Sequence, residues 1–210
     1  MPVASGATSL AAGGVTHDDV APPRLWLVRH GETEWSKSGQ HTSRTDIPLT
    51  ELGRRQATGV ARKLDGHDFA FVLSSPKVRA LETARLAGFG DRVETTGDLV
   101  EWDYGEDEGR TTPEIRTDRP GWTIWADGPR GGETADEVAA RVDRVIARVR
   151  EADGDVLVFA HGHVLRVLAA RWIGESPREG RFFELGTATL SVLGWERETP
   201  TIERWNEASG

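Results

Sequence analysis

The chain of 210 residues contains no cysteine, which excludes disulfides, thiolate metal sites and a cysteine nucleophile. It has no apolar run approaching the roughly 20 residues that a membrane-spanning helix needs. The net charge of −8 argues against the broad basic surface on which general nucleic-acid binding rests. The expected partner is therefore a small molecule, with neither nucleic acid nor membrane involved. Residues 1–23 are rich in Ala, Gly, Ser and Thr but lack the basic start and continuous apolar stretch of a signal peptide. They read as a disordered N-terminal tail, and the protein as cytoplasmic. Neither an H-E-x-x-H pair nor a solenoid-type repeat occurs. The remaining residues, 24–206, suit a single domain large enough to bury a core unaided.

What is present is an alternation of strand and helix signals. Strand signals lie at 25–28, 69–73, 156–160, 190–193 and 202–205. Between them, Ala57, Val60, Ala61 and Leu64 fall at helical spacing after Thr50, and a helix follows Ser75 with Pro76 at its first position. Thr134 and Glu137 form a capping box ahead of Val138, Val142, Val145 and Val149, and a last helix carries Leu165, Leu168, Ala169 and Trp172. This alternation predicts an α/β fold, a three-layer α/β/α sandwich around a mostly parallel central sheet. The stretch 100–132 lacks sustained periodicity and reads as a long functional loop or cap. An edge strand near Leu190, or an exposed apolar cap, would support a homodimer.

Two of the strand signals end at a histidine followed by glycine: Leu25-Trp26-Leu27-Val28-Arg29-His30-Gly31 and Val156-Leu157-Val158-Phe159-Ala160-His161-Gly162-His163. Ligands of parallel α/β sheets bind at the carboxyl ends of the strands, so neighbouring strands of this kind would bring His30 and His161 to one site. Arg29 can grip phosphate oxygens, and Gly31 lets backbone amides approach an anion. Arg79, in Ser74-Ser75-Pro76-Lys77-Val78-Arg79-Ala80-Leu81-Glu82-Thr83, sits early in a helix and is a second candidate guanidinium. A metal site formed by His30, His161 and His163 is disfavoured, because His163 would point away from His161 in an extended stretch. Neither a metal nor any other cofactor is expected.

Five acids, Glu101, Asp103, Glu106, Asp107 and Glu108, crowd the loop after Val100. A carboxyl held against a phosphate dianion would have its pKa raised and could protonate a leaving alkoxide. Sequence physics alone leaves the choice open, and for four of the five a solvated acidic loop is expected. Trp35, Trp102, Trp122 and Trp125 lie close to these motifs; indoles more often pack a core than contact substrate, though they can wall a pocket.

Taken in order, Arg29-His30-Gly31, Ser74-Ser75-Pro76 with Arg79-Ala80 and Thr83, Glu101 within E-W-D-Y-G, and His161-Gly162 resemble the histidine phosphatase superfamily, the phosphoglycerate-mutase-like enzymes. The resemblance spans about residues 25–192. It implies that His30 is a nucleophile forming a phosphohistidine, that Arg29, Arg79 and His161 bind the transferred phosphoryl group, and that Glu101 acts as proton donor and then base. His30 must then attack as the neutral imidazole, with a hydrogen bond to its other nitrogen fixing the tautomer. Guanidinium and imidazole groups around the phosphorus would suffice without a metal.

Within the superfamily, Trp35-Ser36-Lys37-Ser38-Gly39-Gln40-His41-Thr42, the loop 101–109, and Trp122-Thr123-Ile124-Trp125 followed by Gly131-Gly132-Glu133-Thr134 are most similar to a phosphatase branch that includes acid phosphatases and sedoheptulose-bisphosphatase-like enzymes. Mutases usually have Asn where this chain has Ser36, and a longer, more basic insertion after the acid. The resemblance thus implies hydrolysis of a small phosphorylated metabolite, a sugar phosphate or bisphosphate. A phosphoglycerate mutase using the same phosphohistidine is the alternative, and a catalytically silent binding module a third reading. Gly31, Ser36, Gln40, Thr42 and Gly162 are the expected substrate-binding residues.

Overall fold

The computed structural model describes residues 21–208, so the expected tail lies almost wholly outside the described residues. Strands β1 (Leu25–Arg29), β2 (Phe71–Ser74), β3 (Val93–Thr95), β4 (Val156–Ala160), β5 (Leu190–Glu196) and β6 (Thr199–Glu207) form one sheet in the order β3-β2-β4-β1-β5-β6. The pairs β2/β3, β2/β4 and β1/β4 are parallel, whereas β1/β5 and β5/β6 are antiparallel. The apolar runs work because both faces of the sheet are covered. Leu25, Leu27, Val156 and Val158 point into one core, and Trp26, Val28, Leu157 and Phe159 into the other, the period of two that a pleated strand imposes. Each such buried side chain contributes about 1.5–3 kcal/mol relative to exposure.

Helices α1 (Glu34–Ser38), α2 (Glu51–Leu64) and α3 (Val78–Leu86) lie before β3 in the chain; α4 (Thr112–Asp118), α5 (Ile124–Asp127), α6 (Ala135–Arg150) and α7 (Gly162–Trp172) follow it. Val60 and Leu64 of α2 and Ala84 of α3 pack on one face of the sheet. Val138, Val142, Val145 and Val149 of α6 and Leu165, Leu168 and Trp172 of α7 pack on the other. The expected three-layer sandwich is therefore the observed one. Thr134 and Glu137 cap α6 reciprocally, and Thr50 Oγ1 accepts from Gly53 N at the start of α2, so both starts follow the side-chain capping rule.

Several expectations are corrected. β3 gave no signal, being a half-exposed edge of three residues with no alternation to read. Phe69 is buried ahead of β2 as an edge-to-face partner of Trp26. Helix α3 starts at Val78 rather than Pro76, because Asp46 Oδ1 accepts from Val78 N at 2.9 Å and Ser75 Oγ from Lys77 N at 3.3 Å. Leu190 is not on an edge strand: β5 is interior, and β6 covers it. That outer strand carries Pro200, Glu203 and Arg204, residues that blunt edge pairing. Nor is the 100–132 region an exposed apolar cap, since Trp102, Tyr104, Ile115, Trp122, Ile124 and Trp125 are buried in the core shared with α6 and α7. Among the described residues no helix is long and apolar enough to cross a membrane.

Candidate active site

Register places the two histidines. Arg29 is paired with Ala160 across the parallel β1/β4 ladder, so the next residues, His30 and His161, leave neighbouring strands at the same level. Their rings lie 5.2 Å apart between centroids, inclined at 62°. His30 Nδ1 is 2.7 Å from the carbonyl of Gly31. A carbonyl can only accept, so Nδ1 carries the proton and the lone pair is on Nε2. Burial, reinforced by the charges of Arg29 and Arg79, holds the His30 pKa well below its ordinary value, and the ring is neutral. His161 is tied at both nitrogens: Nδ1 accepts from Arg79 Nε at 3.1 Å, and Nε2 donates to Ser75 Oγ at 2.7 Å. Burial, with Arg79 beside it, keeps this imidazole neutral as well.

Gly31 is fixed by crowding. A Cβ there would lie 2.4 Å from the carbonyl oxygen of Gly53, and the Gly31 N–H donates to Thr83 Oγ1 at 3.0 Å. Gly162 makes room for Arg29, whose Cζ would be 3.3 Å from an added Cβ. The Arg29 guanidinium donates from Nη1 to Leu185 O at 2.5 Å, while its buried Nε has no hydrogen-bond partner among the described residues. An unpartnered buried donor on a charged group calls for an acceptor. Burial pulls the Arg29 pKa down from its ordinary value, with Glu101 opposing. Arg79, in the first turn of α3, is fully buried behind the cavity; its other donors reach the carbonyls of Thr45, Thr42 and Ser43.

Of the five loop acids, Glu101 alone meets the helix after His161. Its Oε1 accepts from Val164 N at 2.8 Å and Trp102 N at 2.9 Å, and its Oε2 from His163 N at 3.0 Å. These amides include the first-turn donors of α7, which have no partner within the helix and take the Glu101 oxygens as acceptors. Only Glu106 of the other four is solvated. Asp103 pairs with Arg44, Glu108 accepts from Ser43 N and Thr45 N, and buried Asp107 pairs with Arg119 and Arg110. The expected solvated loop is thus mostly a set of structural clamps.

Arg29, His30, Glu101 and Gly162 face a cavity of about 170 Å³ that Ser36, Gln40 and Thr42 also line. Ser36 Oγ and the Gln40 amide are held by Thr33 and Gly109, and Thr42 Oγ1 donates to Gln40 O. Further wall residues escaped the sequence reading: Thr33, His41, Tyr104, His163, Arg166 and Leu185. His163 is corrected from an extended to a helical position, second in α7, because His161 is the residue preceding that helix. Its Nδ1 lies 2.6 Å from Tyr104 Oη, and the His41 ring is 4.7 Å from the Tyr104 ring. Burial pushes the Tyr104 pKa up and both histidines' down, so the three are neutral. The spacing of His163 and Arg166, three apart on a helix, was the available signal for that wall. Trp35, Trp102, Trp122 and Trp125 pack rather than line the cavity.

The sequence model of the histidine phosphatase superfamily (branch 1) matches residues 25–208. An acid phosphatase of Mycobacterium tuberculosis is 43% identical over 178 residues, covering 82% of this chain and 87% of that protein. Sedoheptulose 1,7-bisphosphatase of Saccharomyces cerevisiae is 40% identical over 185 residues, 72% of this chain and 68% of the relative. A solved structure of an open-reading-frame product from Mycobacterium tuberculosis superposes with a TM-score of 0.85 at 38% identity, covering 90% of this chain and 99% of that one. The matched region runs from the first residue of β1 to just past the end of β6 and takes in every strand among the described residues; the chain belongs to the histidine phosphatase superfamily.

Proposed function

We propose that this protein is a phosphomonoesterase that hydrolyses a small phosphorylated metabolite of the sugar phosphate class through a phosphohistidine on His30, in the cytoplasm. The observation that carries the reading is the pairing of a neutral imidazole, locked with its Nε2 lone pair free, with a buried Arg29 Nε that has no partner among the described residues, at one cavity. The relatives named acid phosphatase and sedoheptulose 1,7-bisphosphatase support the substrate class.

In this reading the His30 Nε2 lone pair forms a bond to phosphorus as the bond from phosphorus to the leaving oxygen breaks. Glu101 gives its proton to that oxygen, and the product alcohol departs. Water then attacks phosphorus, Glu101 takes the water proton, and the phosphorus–nitrogen bond breaks, returning neutral His30 and releasing phosphate. Arg29 holds the phosphoryl oxygens through Nε and the rest of its fork. Arg79 and His161 close the site from behind; direct bonds from them to phosphoryl oxygens require exchange of Ser75 and the loop carbonyls that they now hold. Phosphoryl transfer asks chiefly for positioning and charge stabilisation, which these residues supply. Gly31 keeps the His30 tautomer, while Ser36, Gln40, Thr42 and Gly162 shape the leaving-group side.

The test is phosphate release from a panel of sugar phosphates and bisphosphates, with isomerisation of phosphoglycerates assayed in parallel. Phosphate release that disappears in His30→Ala supports the reading. Isomerisation without net release, or undiminished release by His30→Ala, overturns it.

A further inference from the structure

The chain on both sides of Glu101 is gripped from behind by one ion pair. Arg141, midway along α6 and only 6% exposed, donates from Nη1 to Val100 O at 2.6 Å and to Asp98 O at 2.8 Å. From Nε and Nη2 it reaches both carboxylate oxygens of Glu133, at 2.9 and 3.0 Å. Glu133 holds the other side. Its Oε2 accepts from Asp103 N at 3.0 Å, its carbonyl from Trp102 Nε1 at 2.8 Å, and its own N–H donates to Asp103 O at 3.0 Å. The approach is so close that a Cβ on Gly132 would stand 2.1 Å from Asp103 O, which explains the glycine ahead of Glu133.

We propose that Glu133 and Arg141 are positioning residues for Glu101: their forked pair fixes the register of residues 98–103 and thereby the place of the Glu101 carboxyl against the leaving oxygen. The inference rests on the reading of Glu101 as the proton donor. The pair is fit for the task because its geometry is rigid. A guanidinium binds a carboxylate through two parallel bonds, and a lysine cannot reproduce the fork. Glu133 directly precedes the Thr134 cap of α6, so the longest helix of the fold anchors the clamp. Because a general acid matters only where the leaving oxygen needs a proton, a misplaced Glu101 leaves a signature that general loss of structure does not: selective slowing of alkyl phosphates.

The experiment measures kcat/KM on glycerol phosphate and on p-nitrophenyl phosphate for the intact chain, Arg141→Lys, Glu133→Gln and Glu101→Gln, with thermal unfolding of each. Asp155→Asn serves as a control, since Asp155 bonds Arg24 and Trp26 at the opposite ends of the strands. A misplacement near 1 Å costs about 100-fold, so the ratio of the two kcat/KM values should fall about 10- to 100-fold in Arg141→Lys and Glu133→Gln. It should fall no further when either is combined with Glu101→Gln, and should stay unchanged in Asp155→Asn. If Arg141→Lys does not fold, the near-isosteric Glu133→Gln carries the test. An unchanged ratio in the folded variants, or an equal further fall on top of Glu101→Gln, overturns the clamp. An unchanged ratio in Glu101→Gln itself instead overturns the assignment of the acid, so the two failures are distinguishable.

Discussion

The carboxylate of Glu101 lies 2.8 Å from the amide nitrogen of Val164, so the candidate acid is seated on the first turn of the helix that His161 opens. The second histidine and the acid are thereby fixed by one helix end. Removing the ionisable proton while keeping the shape, as Glu101→Gln does, should lower turnover of alkyl phosphates by about 10²- to 10⁴-fold, the usual worth of a general acid. For p-nitrophenyl phosphate, whose leaving group departs unprotonated, kcat/KM should change far less, because it covers only the steps up to that departure and not the later hydrolysis in which Glu101 is the base; steady-state kinetics on the two substrates compares them.

Gly162→Ala should disable phosphate binding without unfolding the protein. The new methyl group would stand 3.3 Å from Arg29 Cζ, tight enough to shift the guanidinium by a few tenths of an ångström from its bond to Leu185 O. We expect kcat/KM to fall by about 10-fold or more, on the scale by which small misplacements act, with a nearly unchanged melting temperature. Activity at the level of the parent protein would show that Arg29 has slack in its seat.

The buried histidines make stability pH-dependent in a definite direction. His30, His161 and His163 have folded pKa values well below the ordinary 6.5, whereas in the unfolded chain they titrate near it. Below pH 6.5 the unfolded state therefore binds protons that the folded state refuses, and stability is lost as pH falls from there towards the folded pKa values. Each histidine contributes a slope of at most about 1.4 kcal/mol per pH unit. Urea unfolding between pH 7.5 and 5 should show this decline, and His163→Gln should make it shallower.

Asp107 is predicted to be the most sensitive carboxylate in the loop for folding. It is fully buried, bonded to Arg119 and to Arg130 N, and joins the turn after Tyr104 to the segment around α5. Asp107→Ala leaves Arg119 unpaired, and breaking a buried pair from one side costs about 3–5 kcal/mol. Chemical denaturation reads this directly; a loss below 1 kcal/mol would mean that solvent already reaches the pair.

The convergence of His30 and His161 was legible because two short, fully apolar runs that stop at His-Gly read as buried strands, and parallel interior strands end on the same side of a sheet. The acid was not legible in the same way. Five carboxylates within eight positions share one local pattern, and Glu101 differs from the others through amides 62 and 63 residues away. His163 was misplaced for a related reason. Whether a residue after a strand is extended or helical depends on where the next helix begins, and α7 starts immediately at Gly162. Arg79 was placed on the correct helix, but its bonds to the carbonyls of Thr42, Ser43 and Thr45 depend on a loop with no periodicity to read. Edge strand β3 was too short to leave a pattern.

The most direct measurement is rapid quenching of the protein with a phosphorus-labelled substrate, followed by mapping of the labelled peptide. The mechanism predicts an acid-labile, alkali-stable phosphoryl group on His30, formed within one turnover and absent from His30→Ala. Full hydrolysis with no label on His30, or with label on another residue, would contradict it.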